Sequence, residues 1–125
     1  AEYTAAGKEF SLLVLETDGY TRKDYWKKPW LTDMMSLLDD ALAEVAKMED
    51  KEVKEKVRKR IQLEKTSLIF HMMQIYSGEL SNAEIVGYIT DFERYAAEGN
   101  LVRFKQRQEV QTVEALLNSW RTLVP

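Results

Sequence analysis

The sequence predicts an all-α protein, an antiparallel bundle of about five helices formed by residues 1–125 as a single domain. Glycine and proline, which interrupt helices, are scarce, with 5 and 2 copies in 125 residues. Apolar residues recur at intervals of three and four along each segment, and capping or stop residues separate the segments. Since no segment keeps a period of two over a sustained length, we expect no sheet.

The first two predicted helices flank a connector at residues 20–30. The first helix ends at Asp18-Gly19 and has one apolar stripe, formed by Tyr3, Ala6, Phe10, Leu13 and Val14. The second helix begins near Thr32, and Pro29 suits its first turn. Its predicted buried side comprises Leu31, Met34, Met35, Leu38, Leu42 and Val45. These stripes predict that both helices pack against a common core.

The third predicted helix is the longest, over residues 51–77, with Asp50 as its N-cap and Ser77-Gly78 as its end. Its apolar stripe is Val53, Val57, Ile61, Leu68, Met72 and Ile75, interrupted by Glu64 or Lys65 and widened by Ile69, Phe70 and Tyr76. A helix of this length is expected to run through the whole bundle.

The last two predicted helices follow Ser81 and Gly99-Asn100. Ser81 and Glu84 have the spacing of a capping box, and Leu80 could pack on Ile85 as a hydrophobic staple. The fourth helix buries Ile85, Ile89, Phe92 and Ala96 and ends at Gly99-Asn100. The fifth has one apolar side, formed by Val110, Val113, Leu117, Trp120 and Val124. Trp120 is therefore predicted to be a core residue.

Composition excludes several classes of function. A net charge of −3 gives no general attraction to nucleic acid or to an anionic membrane. The absence of cysteine excludes a disulfide framework, a zinc knuckle and a thiol nucleophile. No signal peptide or membrane-spanning run is recognisable. Because the chain begins at Ala1 and not at Met, we interpret it as a processed product or a fragment of a larger protein.

The residues suited to metal or acid–base chemistry have no partners at the required spacing. His71 is the single histidine, and Leu68 occupies the position where a di-iron bundle has glutamate. The acidic pairs Asp39-Asp40 and Glu49-Asp50 are adjacent in sequence, whereas a glycosidase needs carboxylates that face each other across a cleft. We therefore expect no enzyme activity in this chain alone, no catalytic or metal site, and no cofactor.

The third helix has a basic first half, with Lys51, Lys54, Lys56, Arg58, Lys59, Arg60 and Lys65. One hypothesis is a phosphate-binding face using Lys54, Arg58 and Lys65. Glu52, Glu55 and Glu64 are interleaved at spacings that allow pairs such as Glu52-Lys56 and Glu55-Lys59. A solvated helix with internal ion pairs is favoured over nucleic-acid binding.

Four aromatic residues form the densest aromatic cluster, and they lie in the predicted connector: Tyr20, Tyr25, Trp26 and Trp30. Exposed aromatic rings stack on sugars or anchor protein interfaces. The simpler interpretation is that they pack the connector onto the bundle or onto a neighbouring domain. These four residues are the candidate interface or ligand-stacking site.

Three blocks carry a resemblance to a known family. The first is Tyr3-Thr4-Ala5-Ala6-Gly7 followed by Phe10, Leu12 and Leu13. The second is Leu37-Leu38-Asp39-Asp40-Ala41 followed by Lys56-Val57-Arg58 and Leu63. The third is Phe92-Glu93-Arg94-Tyr95-Ala96 followed by Gly99, Leu101 and Arg103. Together they resemble the C-terminal helical part of a bacterial family of large glycoside hydrolases that carry a domain of unknown function.

The resemblance covers nearly the whole chain, but each block is an amphipathic pattern of low specificity. Where the family favours a small residue and a tyrosine in the third helix, this chain has Arg60 and Ile69-Phe70. The resemblance implies a secreted or periplasmic parent protein with an upstream catalytic barrel, against which this helical domain packs as a non-catalytic accessory part. No matching position is a catalytic one. The alternative, from the residues alone, is a free-standing helical module that binds another protein, and neither hypothesis includes nucleic acid or a membrane.

Overall fold

A computed structural model describes residues 26–99, 101–106 and 109–125. The predicted first helix and the candidate residues Tyr20 and Tyr25 lie outside these ranges. The described residues form four α-helices and a small two-stranded sheet. The helices are α1 (Lys28–Val45), α2 (Lys51–Tyr76), α3 (Asn82–Glu98) and α4 (Val113–Arg121), with a 3-10 turn at Ser77–Glu79. The strands are β1 (Arg103–Gln106) and β2 (Glu109–Thr112).

Helix α2 is the centre of the bundle, and α1 and α3 pack on it. The Tyr76 hydroxyl, at the end of α2, donates a hydrogen bond to the carbonyl of Trp26, just before α1 (2.6 Å). Arg58, in the first half of α2, reaches Glu98 at the end of α3 (2.8 Å). Both contacts join the start of one helix to the end of the next, so the three helices are antiparallel neighbours.

The long central helix changes character along its length. Val53 is exposed, whereas the residues from Gln62 to Met73 are buried with the exception of the half-buried Glu64. A stripe on one side was therefore too narrow a prediction for the second half of α2. That half is covered on several sides at once, by α1, by α3 and by aromatic side chains from β1 and α4.

The helix starts predicted at Asp50 and Ser81 are confirmed. The Asp50 carboxylate accepts hydrogen bonds from the backbone amides of Glu52 and Val53 (3.0 and 3.1 Å). Ser81 Oγ accepts from the Glu84 amide (3.1 Å), and the Glu84 carboxylate accepts from the Ser81 amide (3.0 Å). The hydrogen bond from the Ser81 backbone is the main reason that the pKa of Glu84 is lowered, and the hydrogen bond with the Ser81 side chain lowers it further. Each cap satisfies amides that have no partner within the helix.

Replacing Ser81 by alanine is expected to lower the free energy of unfolding by about 1 kcal/mol, since the Glu84 amide loses its acceptor. Urea unfolding followed by circular dichroism measures the change. Asn82→Ala, one position further along the exposed start of α3, is the control and should change stability by less than about 0.5 kcal/mol. Equal effects of the two variants would show that the capping box contributes nothing specific.

The prediction of no sheet and of a fifth helix that includes Val110 is wrong. β1 and β2 form an antiparallel hairpin in which Arg103 pairs with Thr112 and Gln106 with Glu109. Val110 lies on β2 and is exposed. Each strand of four residues contains a single apolar residue, Phe104 or Val110, so no alternation of apolar and polar positions marks it in the sequence. Helix α4 begins only at Val113, after Thr112 accepts a hydrogen bond from the Ala115 amide (3.1 Å).

The hairpin completes an aromatic core with one side chain from each surrounding element. Phe70 of α2 stacks on Phe104 of β1 with ring centroids 5.5 Å apart. Phe92 of α3 lies 5.1 Å from Phe104 and meets Trp120 of α4 edge-on at 4.7 Å. All four rings are buried. This cluster joins the helical bundle to the hairpin, and it confirms the prediction that Trp120 is a core residue.

Candidate functional site

The two described members of the aromatic cluster have different surroundings. Trp26 is buried, and its ring stacks on His71 at a centroid distance of 4.0 Å with the planes 13° apart. Trp30 lies in the first turn of α1 and is 46% exposed, with its ring tilted against Trp26 at 5.9 Å. The connector predicted for residues 20–30 is therefore wrong at its end, because α1 begins at Lys28 with Pro29 in its first turn.

His71 is part of the packing beneath Trp26. Its ring is buried between the stacked Trp26 indole and the edge-on Phe70 ring, whose centroid lies 5.7 Å away. Among the described residues, no three histidine or acidic side chains come together in a group that could hold a metal ion. The stacking with Trp26 fixes the position from which the chain enters α1.

An apolar groove lies beside Trp30, between α1 and the middle of α2. Its volume is about 290 Å³. It is lined by Trp26, Trp30, Met34, Leu38, Glu64, Ser67 and Leu68. Among the described residues, Glu64 is the one charged lining residue, and it accepts a hydrogen bond from Arg60 (3.1 Å). The groove therefore presents a mainly apolar surface to an incoming group.

Ser67 gives this groove one polar feature. The side chain is buried, and the described residues supply no hydrogen-bond partner for its hydroxyl. A buried hydroxyl without a partner is unfavourable, since it has lost its hydrogen bonds to water. A group entering the groove would complete the apolar contact beside it.

The apolar surface of α1 is wider than its contact with α2 requires. At about 100° per residue, its apolar positions from Leu37 round to Met35 cover an arc of roughly 160°. One edge of that arc, at Leu31 and Met35, is buried in the core, as is Val45 at its centre. The other edge, at Trp30 and Leu37, is exposed. Because the groove lies at this second edge, α1 has apolar surface that the described core does not use.

A second, polar cavity of about 460 Å³ lies among α1, α2 and α3, and includes Asp39, Arg58, Gln62 and Tyr95 in its lining. Arg58 donates to Glu55, Gln62 and Glu98 (2.9, 3.1 and 2.8 Å). Charged and polar groups that line the cavity therefore hydrogen-bond to one another within α2 and between α2 and α3. We interpret this cavity as the exposed side of a network that joins α2 to α3.

Lys65 forms a separate, buried set of polar contacts that joins α1, α2 and α3. Its ammonium group, on a side chain that is 6% exposed, donates to Asp39 and to the Tyr95 hydroxyl (3.3 Å), and lies 3.7 Å from Asp91. Burial lowers the pKa of Lys65, but the hydrogen bond to Asp39 and the Tyr95 phenol together outweigh it and hold the pKa above its usual value. The sequence analysis counted Lys65 in the basic half of this helix, whereas the structure buries it as an ionic link between helices.

Other basic residues in the first half of α2 form ion pairs within the helix. Lys56 pairs with Glu52 as the spacing predicted (3.8 Å), and both side chains are exposed. The Glu55 carboxylate is bound by Arg58, whose hydrogen bond is the main reason that the pKa of Glu55 is lowered. Of the acidic pairs, Asp39 binds Lys65 and Asp50 caps α2.

No helix among the described residues has both the length and the apolar character needed to cross a membrane. Comparisons with family models, with curated proteins and with solved structures find no match for the chain.

Proposed function

We propose that this chain is a non-catalytic helical accessory module that holds an apolar element of a partner in the groove beside Trp30. The observation that carries the proposal is the combination of a half-exposed tryptophan with an adjoining apolar groove, at the edge of a helix whose apolar arc exceeds its core contact. Tryptophan at the rim of a pocket is a frequent anchor of protein interfaces.

The shape of the groove favours a helical partner element. It runs along the line between two packed helices, where an amphipathic helix can lay its apolar side against Trp30, Met34 and Leu38. A sugar would need polar groups that converge on its hydroxyls, whereas this lining offers mainly carbon. Of the two described residues of the aromatic cluster, Trp26 is buried with one ring face against His71, whereas Trp30 is half-exposed. Trp30 is therefore the member of the pair that can contact a partner.

The family resemblance suggests what the partner is. It implies a catalytic barrel of a glycoside hydrolase upstream in the same parent chain, in a secreted or periplasmic protein. The groove at Trp30 would then pack against that barrel. The alternative is a free-standing interaction module whose partner is a different protein, and it uses the same groove.

The proposal predicts that the chain binds a short, uncharged amphipathic helix of leucine and glutamine carrying a fluorescent label. Replacing Trp30 by serine should weaken the binding about tenfold or more, since the anchor is lost. Fluorescence anisotropy measures the affinity. An uncharged probe excludes simple electrostatic attraction as the cause.

Leu123→Ser is the matched control, because Leu123 is as exposed as Trp30 at 45% but lies outside the groove lining. Its affinity for the probe should equal that of the unmodified chain. An equal loss of affinity in Trp30→Ser and Leu123→Ser would contradict the proposed surface. It would also be contradicted if the unmodified chain did not bind the probe. Circular dichroism checks that both variants remain folded.

A further inference from the structure

We propose that the polar cavity among α1, α2 and α3 binds a small carboxylate with an apolar tail, whose charged group is held by Lys54, Arg94 and the Tyr95 hydroxyl. Among the described residues, this cavity and the Trp30 groove have no lining residue in common. The proposal therefore adds a small-molecule ligand to the chain and does not depend on the proposed function.

The cavity has an apolar side and a charged side. Leu42 and Ala46, four residues apart and so on one side of α1, line it with carbon. Lys54 and Arg58 have the same spacing on α2, and Arg94 comes from α3. The volume of about 460 Å³ falls within the roughly 300–1,000 Å³ that is typical of small-molecule sites. This arrangement suits a ligand with one charged end and one apolar end.

The charges that line the cavity favour a ligand with one negative charge. Among the described residues, the lining has three cationic side chains and two carboxylates, which leaves one positive charge in excess. The Asp39 carboxylate is already bound by Lys65. The Glu98 carboxylate is already bound by Arg58 and Gln62 (2.8 and 2.7 Å). A monoanion in the cavity would therefore neutralise the excess charge.

Two of the three lining cations are available to bind that anion. Lys54 is half-buried and forms no ion pair with a described residue. Arg94 has one hydrogen-bond acceptor in the described part of the chain, the Tyr95 hydroxyl (3.0 Å), and its nearest carboxylate, Asp91, lies 3.6 Å away. A guanidinium group can donate parallel hydrogen bonds to both oxygens of a carboxylate. Arg94 therefore provides the geometry, and Lys54 a second charge.

The Tyr95 hydroxyl provides a third donor next to Arg94. Its oxygen accepts hydrogen bonds from Lys65 (3.3 Å) and from Arg94, and both of these groups can only donate. Its own hydrogen has no acceptor in the described ranges, although the side chain is buried. Because a buried donor without an acceptor is unfavourable, a carboxylate bound at Arg94 would relieve this cost.

An NMR titration of the isotope-labelled full chain with phenylacetate tests the site. Phenylacetamide keeps the shape of this probe without the charge, and acetate keeps the charge without the tail. We expect phenylacetate to bind at least about tenfold more tightly than either, since each lacks one of the two features that the cavity recognises. Equal affinity for phenylacetate and either of the other two, or no binding of phenylacetate, would overturn the proposal.

Substitutions locate the bound probe. Lys54→Gln combined with Arg94→Gln should weaken phenylacetate binding about tenfold or more, because both charge-assisted bonds are lost. Tyr95→Phe should weaken it about threefold, since a neutral donor contributes less. Lys56→Gln is the matched control, because Lys56 lies on the same helix and does not line the cavity. Its affinity, and that of Trp30→Ser, should equal that of the unmodified chain.

Circular dichroism checks that each variant is folded, and the double variant changes only one half-buried and one exposed side chain. An unchanged affinity in the double variant would overturn the proposal. So would a loss of affinity in Trp30→Ser as large as that in the double variant, because the anion would then lie in the groove.

Discussion

Replacing Phe92 by alanine is expected to lower the free energy of unfolding by about 3–5 kcal/mol. The Phe92 ring is fully buried between Phe104 of the hairpin and Trp120 of α4. Truncation leaves a cavity where three elements meet, and an aromatic pair contributes about 0.5–1.5 kcal/mol beyond its buried area. The expected loss approaches the whole stability of a typical small domain.

Urea unfolding followed by far-ultraviolet circular dichroism measures the Phe92→Ala effect. Val86→Ala is the control on the same helix, since Val86 is 48% exposed and should change stability by less than about 0.5 kcal/mol. A loss below about 1 kcal/mol for Phe92→Ala would mean that the four-ring cluster does not join the hairpin to the bundle.

Replacing Lys65 by alanine is expected to have the second largest effect, a loss of about 2–4 kcal/mol. Removing one partner of a buried ion pair typically costs about 3–5 kcal/mol, and the figure is lower here because Asp39 is 54% exposed and can be hydrated. Lys65→Met keeps most of the buried side-chain volume and should cost less than Lys65→Ala. Lys56→Met is the control, because Lys56 forms an exposed pair worth at most about 1 kcal/mol. Chemical unfolding at neutral pH ranks the three variants, and an equal loss in Lys65→Ala and Lys56→Met would contradict the buried link.

Because of Lys65, we also expect the folded protein to lose stability at alkaline pH. Because the pKa of Lys65 is raised in the folded protein, its contribution is fully present below the unfolded pKa of about 10.4. The contribution is lost as the pH rises through the folded pKa. The pKa of Tyr88 is also raised, mainly by burial, and acts in the same direction. As the pH rises above about 10.4, the stability of Lys65→Met should therefore fall less than that of the unmodified chain. The part of the fall that is due to Tyr88 should remain in this variant.

The helices could be predicted because their signals are local. The capping box at Ser81 and the cap at Asp50 require only residues within one turn, and both were found. The hairpin could not be predicted, since its strands are short and Phe104 is held by rings from distant parts of the chain. The sequence also placed Val110 on a helix because a valine fits either structure.

The candidate site was predicted only in part, for a similar reason. Local aromatic density singled out Trp26 and Trp30, but it could not separate the buried ring from the half-exposed one. That distinction depends on His71, which reaches Trp26 from α2. Ser67 and Leu68 were missed as groove residues because nothing in their own sequence marks them. Lys65 was grouped with solvated lysines, since only the packing of α1 and α3 shows that it is buried.

The most direct test of the central claim is an NMR titration of the tryptophan indole signals. The chain has three tryptophans, so their indole N–H signals are easily separated, and Trp30→Phe identifies the signal of Trp30. Adding the leucine–glutamine helix to the unmodified chain should shift the Trp30 signal and leave that of Trp120, buried against Phe92, in place. A soluble oligosaccharide such as cellohexaose should shift neither. An unchanged Trp30 signal at saturating peptide, or a Trp30 signal that responds to the oligosaccharide alone, would contradict the assignment of this groove as a protein-binding surface.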